Sequence, residues 1–294
     1  METLNETQVQ FYRDNGYLML ESRIPAAEID KCIAEIEKFR EEASHLSASN
    51  DRLDLEDTHT PDNPRVRRIK LPHTISDVFA ALMRSDHVLA PVRDLIGQDL
   101  RLHTSKLNMK SAEYGAAVEW HQDWAFYPHT NDDVLAVGIV LNDVGPDNGP
   151  LMVFPGTHKG EVFDHHSNGV FAGAMDLENS GLELNAAVKL TGPRGSMSIH
   201  HARTVHGSDL NRSDRDRMLL LYEIMAADAY PVMGSMTPWP SLEEYDEKLL
   251  CGSGTITPRL ADVPVRIPQP QPKKTGSIYE IQSTAQNRAF ETVM

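Results

Sequence analysis

The fold and the chemistry that we predict for this chain start from one short stretch, Trp120-His121-Gln122-Asp123-Trp124. His121 and Asp123 are separated by a single residue, so on an extended strand both side chains point to the same face. An imidazole and a carboxylate on one face are two of the ligands that a divalent first-row metal accepts. The stretch therefore predicts part of a metal site on a β-strand.

A third ligand has to come from elsewhere in the chain. Because the sequence holds 13 His residues, a His-x-Asp pair arises easily by chance, and the surrounding sequence has to decide. His206 lies in a second strand-like run, residues 204–208. Two His and one carboxylate form the facial triad that leaves open positions on iron(II). We therefore take His121, Asp123 and His206 as the candidate catalytic metal ligands.

The composition describes an ordinary globular protein with an acidic surface. The 28 Lys and Arg against 43 Asp and Glu give a net charge of −15, which argues against general binding to nucleic acid or to anionic membranes. Only Cys32 and Cys251 occur, too few for a disulfide framework or a zinc-thiolate site. No run is long and apolar enough for a membrane span, and the first residues are polar, unlike a secretory signal. We expect a cytoplasmic protein.

The N-terminal third, residues 1–97, predicts a helical support for the rest of the chain. Asn5 and Gln8 form a capping-box pattern at the start of a short helix. A second helix is indicated by apolar residues at helical spacing, namely Ile29, Ile33, Ile36 and Phe39. Residues 78–96 predict another helical segment with a break near Asp86.

Residues 98–229 predict a β-rich core. Many short strands separated by Gly and Pro turns favour a sandwich or a barrel. The candidate strands cover residues 100–110, 134–141, 151–154, 196–199 and 218–224. The first carries Thr104, Lys106 and Asn108 on the same face as core-like leucines. Either its inner end faces a wet pocket, or it is an edge strand in solvent, and the spacing leaves both open.

The C-terminal extension, residues 230–294, is rich in proline. Its prolines are Pro231, Pro238, Pro240, Pro258, Pro264, Pro268, Pro270 and Pro272. Residues 242–250 predict one short acidic helix, and residues 268–274 an extended or disordered segment. Since the chain shows no internal repeat and no second apolar core, we predict a single domain over residues 1–294.

Two further residues fit a site built on strands. Ligands that are remote in sequence meet at one mouth of a β-barrel, as in cupin-like jelly rolls. Arg217 follows His206 by eleven residues and directly precedes a strand, which suits bidentate capture of a carboxylate. Ser208 lies two residues past His206 on the same strand face and offers a hydroxyl donor.

These motifs occur in an order that resembles a known family. Two further motifs belong to the set: Asn-Gly-Pro-Leu at residues 148–151 and Pro-Gly-Thr-His-Lys-Gly at residues 155–160. Together they are similar to the phytanoyl-CoA dioxygenase family. The resemblance implies a mainly β fold, a double-stranded β-helix of the jelly-roll or cupin-like type, braced by N-terminal helices. It also implies oxidation of a small organic molecule with Fe(II), 2-oxoglutarate and O2, with release of succinate and CO2.

The same resemblance implies a role for each candidate residue. His121, Asp123 and His206 would bind the iron, and Arg217 would pair with the distal carboxylate of 2-oxoglutarate, helped by Ser208. Residues 107–110 are similar to the ectoine hydroxylases, in which the residue that matches Asn108 contacts the cosubstrate.

Departures from the family pattern concern the substrate side. Thr104 stands where ectoine hydroxylases carry a glutamine, and Tyr127 matches only half of their aromatic clamp, because Leu221 replaces the other aromatic. Ile139 stands where phytanoyl-CoA hydroxylase has a tryptophan. Neither named substrate is therefore transferred to this chain. Asp123 is retained, unlike in the related halogenases, so hydroxylation or a related oxidation is expected.

No sequence motif identifies the substrate. Thr104, Trp124 and Tyr127 are the candidate substrate residues, with the two aromatics on the pocket wall. The rest of the wall is expected from the polar loop 44–64, the turn 128–133, residues 161–190 and the tail.

Several polar residues keep two interpretations. His158 follows a Pro-Gly turn and is expected to hold that loop. His200 and His201 are adjacent, so only one faces the interior, either orienting a metal ligand or serving the structure. Lys106 either meets a carboxylate or is solvated. A cupin-like binding protein without turnover is the alternative function, and the intact ligand set together with Arg217 favours the enzyme.

Overall fold

Helices come first in the chain, and short strands dominate after them. The computed structural model describes residues 3–113, 115–233, 241–273 and 277–290. The helices are α1 (Glu6–Asn15), α2 (Ala26–Ala43), α3 (Pro72–Ile75), α4 (Asp77–Met83), α5 (Asp86–Ile96), α6 (Leu242–Asp246) and α7 (Ile278–Gln282). The strands are β1 (Tyr17–Leu20), β2 (Leu53–Leu55), β3 (Val66–Lys70), β4 (Leu100–Lys110), β5 (Val118–His121), β6 (Val134–Val140), β7 (Leu151–Val153), β8 (His166–Ser167), β9 (Val170–Phe171), β10 (Val188–Leu190), β11 (Met197–His201), β12 (His206–Ser208), β13 (Arg217–Ala226) and β14 (Leu249–Cys251).

The predicted N-terminal helices are confirmed. Asn5 and Gln8 form both hydrogen bonds of the capping box at the start of α1. Helix α1 ends at Gly16, whose φ of 76° is the left-handed conformation that favours glycine. Helix α2 starts after Pro25 and buries an apolar stripe against the large sheet. The predicted break near Asp86 separates α4 from α5.

The expectation of a plain loop over residues 44–64 is wrong. Strand β2 lies inside this segment and pairs antiparallel with β3. Its central Asp54 is buried, and its carboxylate forms ion pairs with Arg68 (2.8 Å) and Lys70 (2.7 Å). A strand of three residues with a charged centre shows no alternation of apolar and polar residues. Pairing with its neighbours stabilises it instead.

Two antiparallel sheets form the β core, as predicted. The large sheet has the order β1-β11-β6-β13-β4-β3-β2, with β14 added beside β4, and the small sheet has the order β10-β7-β12-β5. Helices α1 to α5 cover one face of the large sheet, where the main apolar core lies. The other face turns towards the small sheet, and the functional residues lie in the space between the sheets.

The C-terminal extension contributes structure to the body of the fold. Helix α6 is shorter than predicted and is followed by β14, which pairs with β4. Residues 268–272 form no helix or strand, and the Pro270 carbonyl accepts from the Phe171 amide (2.9 Å). Pro238, Pro240 and Lys274 lie outside the described residues. The division into segments 1–97, 98–229 and 230–294 of one domain stays a prediction.

Candidate active site

Three side chains from β5, the turn after it and β12 converge between the sheets. His206 is paired in register with His121 across the β12–β5 ladder. Asp123 lies in a 3-10 turn rather than on the strand, but Gln122 between it and His121 keeps an extended backbone, so the expected geometry persists. One ligand atom from each of His121, Asp123 and His206 lies within 4.8 Å of the others, and all three side chains are buried.

Hydrogen bonds set the orientation of both imidazoles. Nδ1–H of His121 donates to the Glu119 carbonyl (2.7 Å), and Nδ1–H of His206 donates to the Thr204 carbonyl (2.9 Å). Nε2 of each ring therefore faces Asp123, at 3.7 Å for His121 and 3.8 Å for His206. Backbone partners of this kind set the tautomer that leaves Nε2 free to bind a metal.

The charge states also suit a metal centre. Burial lowers the pKa of His206 well below its ordinary value, and the neighbouring rings of His121 and His200 add to this. Burial alone would raise the pKa of Asp123, but His206 and the hydrogen bonds of the neighbouring imidazoles hold that pKa well below its usual range. A neutral imidazole at His206 beside the ionised Asp123 carboxylate suits the facial triad, in which iron(II) accepts two imidazoles and one carboxylate.

One end of the adjoining cavity is built to receive an anion. Arg217 is 3% exposed, and its Nε donates to the Gly149 carbonyl (3.1 Å). Its Nη1 and the Asn108 Oδ1 are buried without a hydrogen-bond partner among the described residues. Burial lowers the pKa of Arg217 to about 10, so the guanidinium remains charged at neutral pH. Ser208 lines the same space.

The structure brings Tyr279 near Arg217, although this residue does not line the cavity and the sequence did not indicate it. Helix α7 docks on β5, because the Gln282 side chain accepts from the Glu119 amide (2.9 Å) and donates to the Gly173 carbonyl (2.8 Å). The Tyr279 hydroxyl is buried, and no described residue hydrogen-bonds to it. Burial raises its pKa, and the nearby Arg217 opposes this rise. Proline-rich sequence separates α7 from the core, so nothing in the sequence linked the two.

Lys110 stabilises the backbone at the Arg217 end of the cavity. Its buried Nζ donates to the Ser208 carbonyl (3.1 Å) and to the Asp209 carbonyl, so it holds the end of β12 in place. Burial and the neighbouring Arg217 lower its pKa well below the ordinary value. Lys110 lies in the run similar to the ectoine hydroxylases, but the sequence assigned it no role.

The other end of the cavity carries an ion pair. Lys106 Nζ lies 2.7 Å from Glu223 Oε1, so this lysine meets a carboxylate rather than solvent. The face of β4 that holds Lys106 and Asn108 therefore points into the pocket, as the first of the two interpretations predicted. His200 also faces the cavity, with its Nε2 at 3.5 Å from Asp123 Oδ2, whereas His201 turns towards Asp132.

The predicted pocket wall needs correction. Trp124 is fully buried in an apolar cluster, and its indole N–H donates to the Pro264 carbonyl (2.8 Å), so it belongs to the core and does not line the cavity. Tyr127 packs against His103 with ring centroids 4.3 Å apart and the ring planes tilted by 40°. Burial, with the Asp123 and Glu223 carboxylates beside the hydroxyl, raises the pKa of Tyr127 well above its usual value. Thr104 lies beside Glu223 in the β13–β4 register but not on the cavity wall.

The segments expected to form the rest of the wall contribute little. Of the loop 44–64, the turn 128–133, residues 161–190 and the tail, only Ile278 of the tail is among the described residues of this wall. His158 holds its loop as expected, because its Nε2 lies 3.1 Å from the Arg13 carbonyl at the end of α1.

The family model of phytanoyl-CoA dioxygenase (PhyH) matches residues 12–219. The chain belongs to the phytanoyl-CoA dioxygenase family. Within the family it is 36% identical over 279 residues to a probable alpha-ketoglutarate-dependent hypophosphite dioxygenase of Stutzerimonas stutzeri, covering 94% of this chain and 96% of that one. It is 27% identical to an ectoine dioxygenase of Bordetella bronchiseptica, covering 81% and 82% of the two chains.

Solved structures agree with the fold. The crystal structure of EctD from S. alaskensis with 2-oxoglutarate and 5-hydroxyectoine aligns with a TM-score of 0.64 at 23% identity, covering 90% of this chain and 88% of that one. This PhyH-family chain is therefore a 2-oxoglutarate-dependent dioxygenase with the jelly-roll core. In the described part of the chain, every helix is too short or too polar to cross a membrane.

Proposed function

We propose that His121, Asp123 and His206 hold the Fe(II), and that Arg217 binds the distal carboxylate of 2-oxoglutarate with help from Ser208, Asn108 and Tyr279. One observation carries the proposal: the three ligand atoms and the guanidinium of Arg217 open into the same cavity between the sheets. A buried guanidinium with an open N–H favours an anionic partner, and a carboxylate matches its geometry.

The part of the cavity beyond the three ligands is the proposed substrate site. Beyond the triad the cavity ends at Lys106, Glu223 and His200, with Ala136 and Leu221 between them. This short, mostly polar end favours a small molecule over a long acyl chain. Tyr127 contributes to the substrate end through its hydroxyl beside Glu223, and Thr104 lies behind that carboxylate.

Each part of the chain has a distinct task in turnover. Iron with 2-oxoglutarate and O2 supplies the oxidant, with release of succinate and CO2. The carbonyls of Glu119 and Thr204 keep Nε2 of each imidazole aimed at the metal position. The guanidinium of Arg217 orients the cosubstrate, while Ile278 and Leu219 exclude water from that end.

Iron binding and succinate release test this assignment together. Anaerobic titration with Fe(II) should show one tight site in the wild type and none in His121→Ala or His206→Ala. Succinate formed from 2-oxoglutarate should fall to background in the same variants. His45→Ala, which removes an exposed imidazole, serves as the matched control and should behave as the wild type. Iron binding that survives in both ligand variants would contradict the assignment.

The setting of the reaction follows from the chain as well. We infer a cytoplasmic enzyme, because Cys32 and Cys251 are both unpaired, as expected in a reducing compartment. The net charge of −15 supports the absence of nucleic acid and anionic membrane among its partners.

A further inference from the structure

We propose that the substrate is a small zwitterion, whose anionic group binds Lys106 and whose cationic nitrogen binds Glu223. The inference rests on the proposed function, since it takes the space beside the iron ligands as the substrate site. It names a class of molecule that combines an acid group and an amine within a short span.

The first support is the position of the ion pair. Lys106 on β4 and Glu223 on β13 lie on neighbouring strands, with Nζ and Oε1 2.7 Å apart. The side chain of Glu223 is 2% exposed and that of Lys106 is 24% exposed. Both line the cavity that also contains Asp123 and His206, so a bound molecule can contact them and the metal position at once.

The second support is a set of polar atoms that lack hydrogen bonds. Oε2 of Glu223 and Nδ1 of His200 are buried, with no hydrogen-bond partner in the described residues. Each residue is 1% exposed and lines the cavity. Buried polar groups are nearly always hydrogen-bonded, so unpaired ones that face a cavity indicate a ligand with donors and acceptors.

The charge balance then selects the class of ligand. A simple anion would draw Lys106 away and leave Glu223 as an uncompensated buried carboxylate beside Asp123. A simple cation would leave Lys106 uncompensated in the same way. Breaking one side of a buried pair is strongly unfavourable, whereas a zwitterion supplies a counter-charge to both partners. A zwitterion that replaces the direct contact between Lys106 and Glu223 therefore keeps both buried charges paired.

The neighbouring groups do not change this balance. Burial would lower the pKa of Lys106, but Glu223 and Asp123 raise it above its ordinary value, so the lysine is charged. Burial lowers the pKa of His103, which packs against Tyr127, so this imidazole adds no positive charge at neutral pH. Among the described residues that line the cavity, Lys106 and Arg217 are the cations, and Arg217 lies at the cosubstrate end.

The test compares matched ligands on the full-length protein. Isothermal titration is performed without O2, with Mn(II) in place of Fe(II) and with 2-oxoglutarate present. The zwitterions are amino carboxylates and amino phosphonates with one to four carbons between the charges, starting from glycine, β-alanine and 2-aminoethylphosphonate. The controls are propionate, ethylphosphonate and ethylamine, which lack one charge, and hypophosphite, the anion named for a relative. Succinate release with Fe(II) is measured on the same set.

We expect at least one zwitterion to bind and to stimulate succinate release, while its one-charge counterparts do neither at the same concentration. Glu223→Gln should weaken zwitterion binding roughly 10- to 100-fold, the value of a hydrogen bond to a charged group, and should remove the preference for zwitterions over anions. Lys106→Met should weaken it by a similar factor. Lys159→Met, which removes an exposed lysine paired with Asp14, is the control and should change nothing.

Two results would overturn the inference. One is that hypophosphite or ethylphosphonate binds at least as tightly as every zwitterion, and the other is that no zwitterion in the series binds. A loss of folding is recognised by the melting temperature, and a loss of preference at unchanged melting temperature reports on the site itself. Failure of the proposed function is distinct, because it would abolish metal binding and all turnover of 2-oxoglutarate in the wild type.

Discussion

His206 lies directly opposite His121 on neighbouring strands of the small sheet, with ring centroids 4.1 Å apart. Their Nδ1–H groups donate to carbonyls two residues earlier in the chain, so both Nε2 atoms face Asp123. The strand pairing thus brings together two ligands that 84 residues of intervening chain separate. Arg217 and the Lys106–Glu223 pair line the same cavity as these two imidazoles.

Removing the charge of Arg217 should weaken 2-oxoglutarate binding. Arg217→Met deletes the buried guanidinium whose Nη1 is open, and we expect the KM for 2-oxoglutarate to rise roughly 10- to 100-fold, the value of one charged hydrogen-bonded pair. Initial rates against 2-oxoglutarate concentration measure this. Arg194→Met, which removes an exposed arginine paired with Asp30, is the matched control. An unchanged KM in Arg217→Met would place the cosubstrate elsewhere.

Removing only the hydroxyl of Tyr279 should have a smaller effect of the same kind. Tyr279→Phe keeps the ring that lies under Arg67, with the guanidinium carbon 4.9 Å from the ring centroid, so α7 should stay docked. We expect the KM for 2-oxoglutarate to rise about 5- to 10-fold, as for loss of one neutral hydrogen bond, without a fall in melting temperature. Tyr17→Phe is the control, since Tyr17 lies on β1, remote from α7 in the chain. A KM equal to that of the wild type would remove Tyr279 from the cosubstrate site.

A substitution at Gly16 should separate packing from backbone strain. A Cβ at Gly16 would meet His158 Nδ1 at 2.4 Å and would also suffer the positive φ, so we expect Gly16→Ala to lower the free energy of unfolding by about 3 kcal/mol. Gly169 has a similar φ of 73° but open space around it, so Gly169→Ala should cost only about 1 kcal/mol. Denaturant unfolding measures both. An equal loss in the free energy of unfolding for both variants would show that the contact with His158 does not contribute to the destabilisation.

Protonation of His129 should contribute to acid sensitivity. Burial lowers the pKa of His129 from 6.5 to about 4, so the unfolded chain binds this proton at a higher pH than the native one. The stability that its neutral form contributes is therefore present above pH 6.5 and is lost as the pH falls towards 4. We expect the free energy of unfolding of His129→Gln to fall less between pH 6.5 and 4 than that of the wild type, by about 2 kcal/mol. Parallel pH dependences of the two proteins would contradict this.

Much of the fold could be predicted because the signals were local. The capping box at Asn5 and the apolar run of β6 each depend on a few neighbouring residues. Strand β2 was missed because three residues around a charged Asp54 show no periodicity, and pairing with β3 stabilises them instead. Trp124 was misplaced because an aromatic beside a metal ligand has the same sequence appearance whether it faces a pocket or the core.

The sequence by itself determined the chemical types of the site: a His-x-Asp pair, a distant histidine, an arginine before a strand, and the family to which these motifs belong. The tertiary structure alone decided which groups meet. It brought Lys106 to Glu223, His200 to Asp123, and the hydroxyl of Tyr279 towards Arg217. The physical reason is that side-chain direction along a strand follows from local dihedral angles, whereas contacts between remote segments depend on strand order and on the burial that stabilises it.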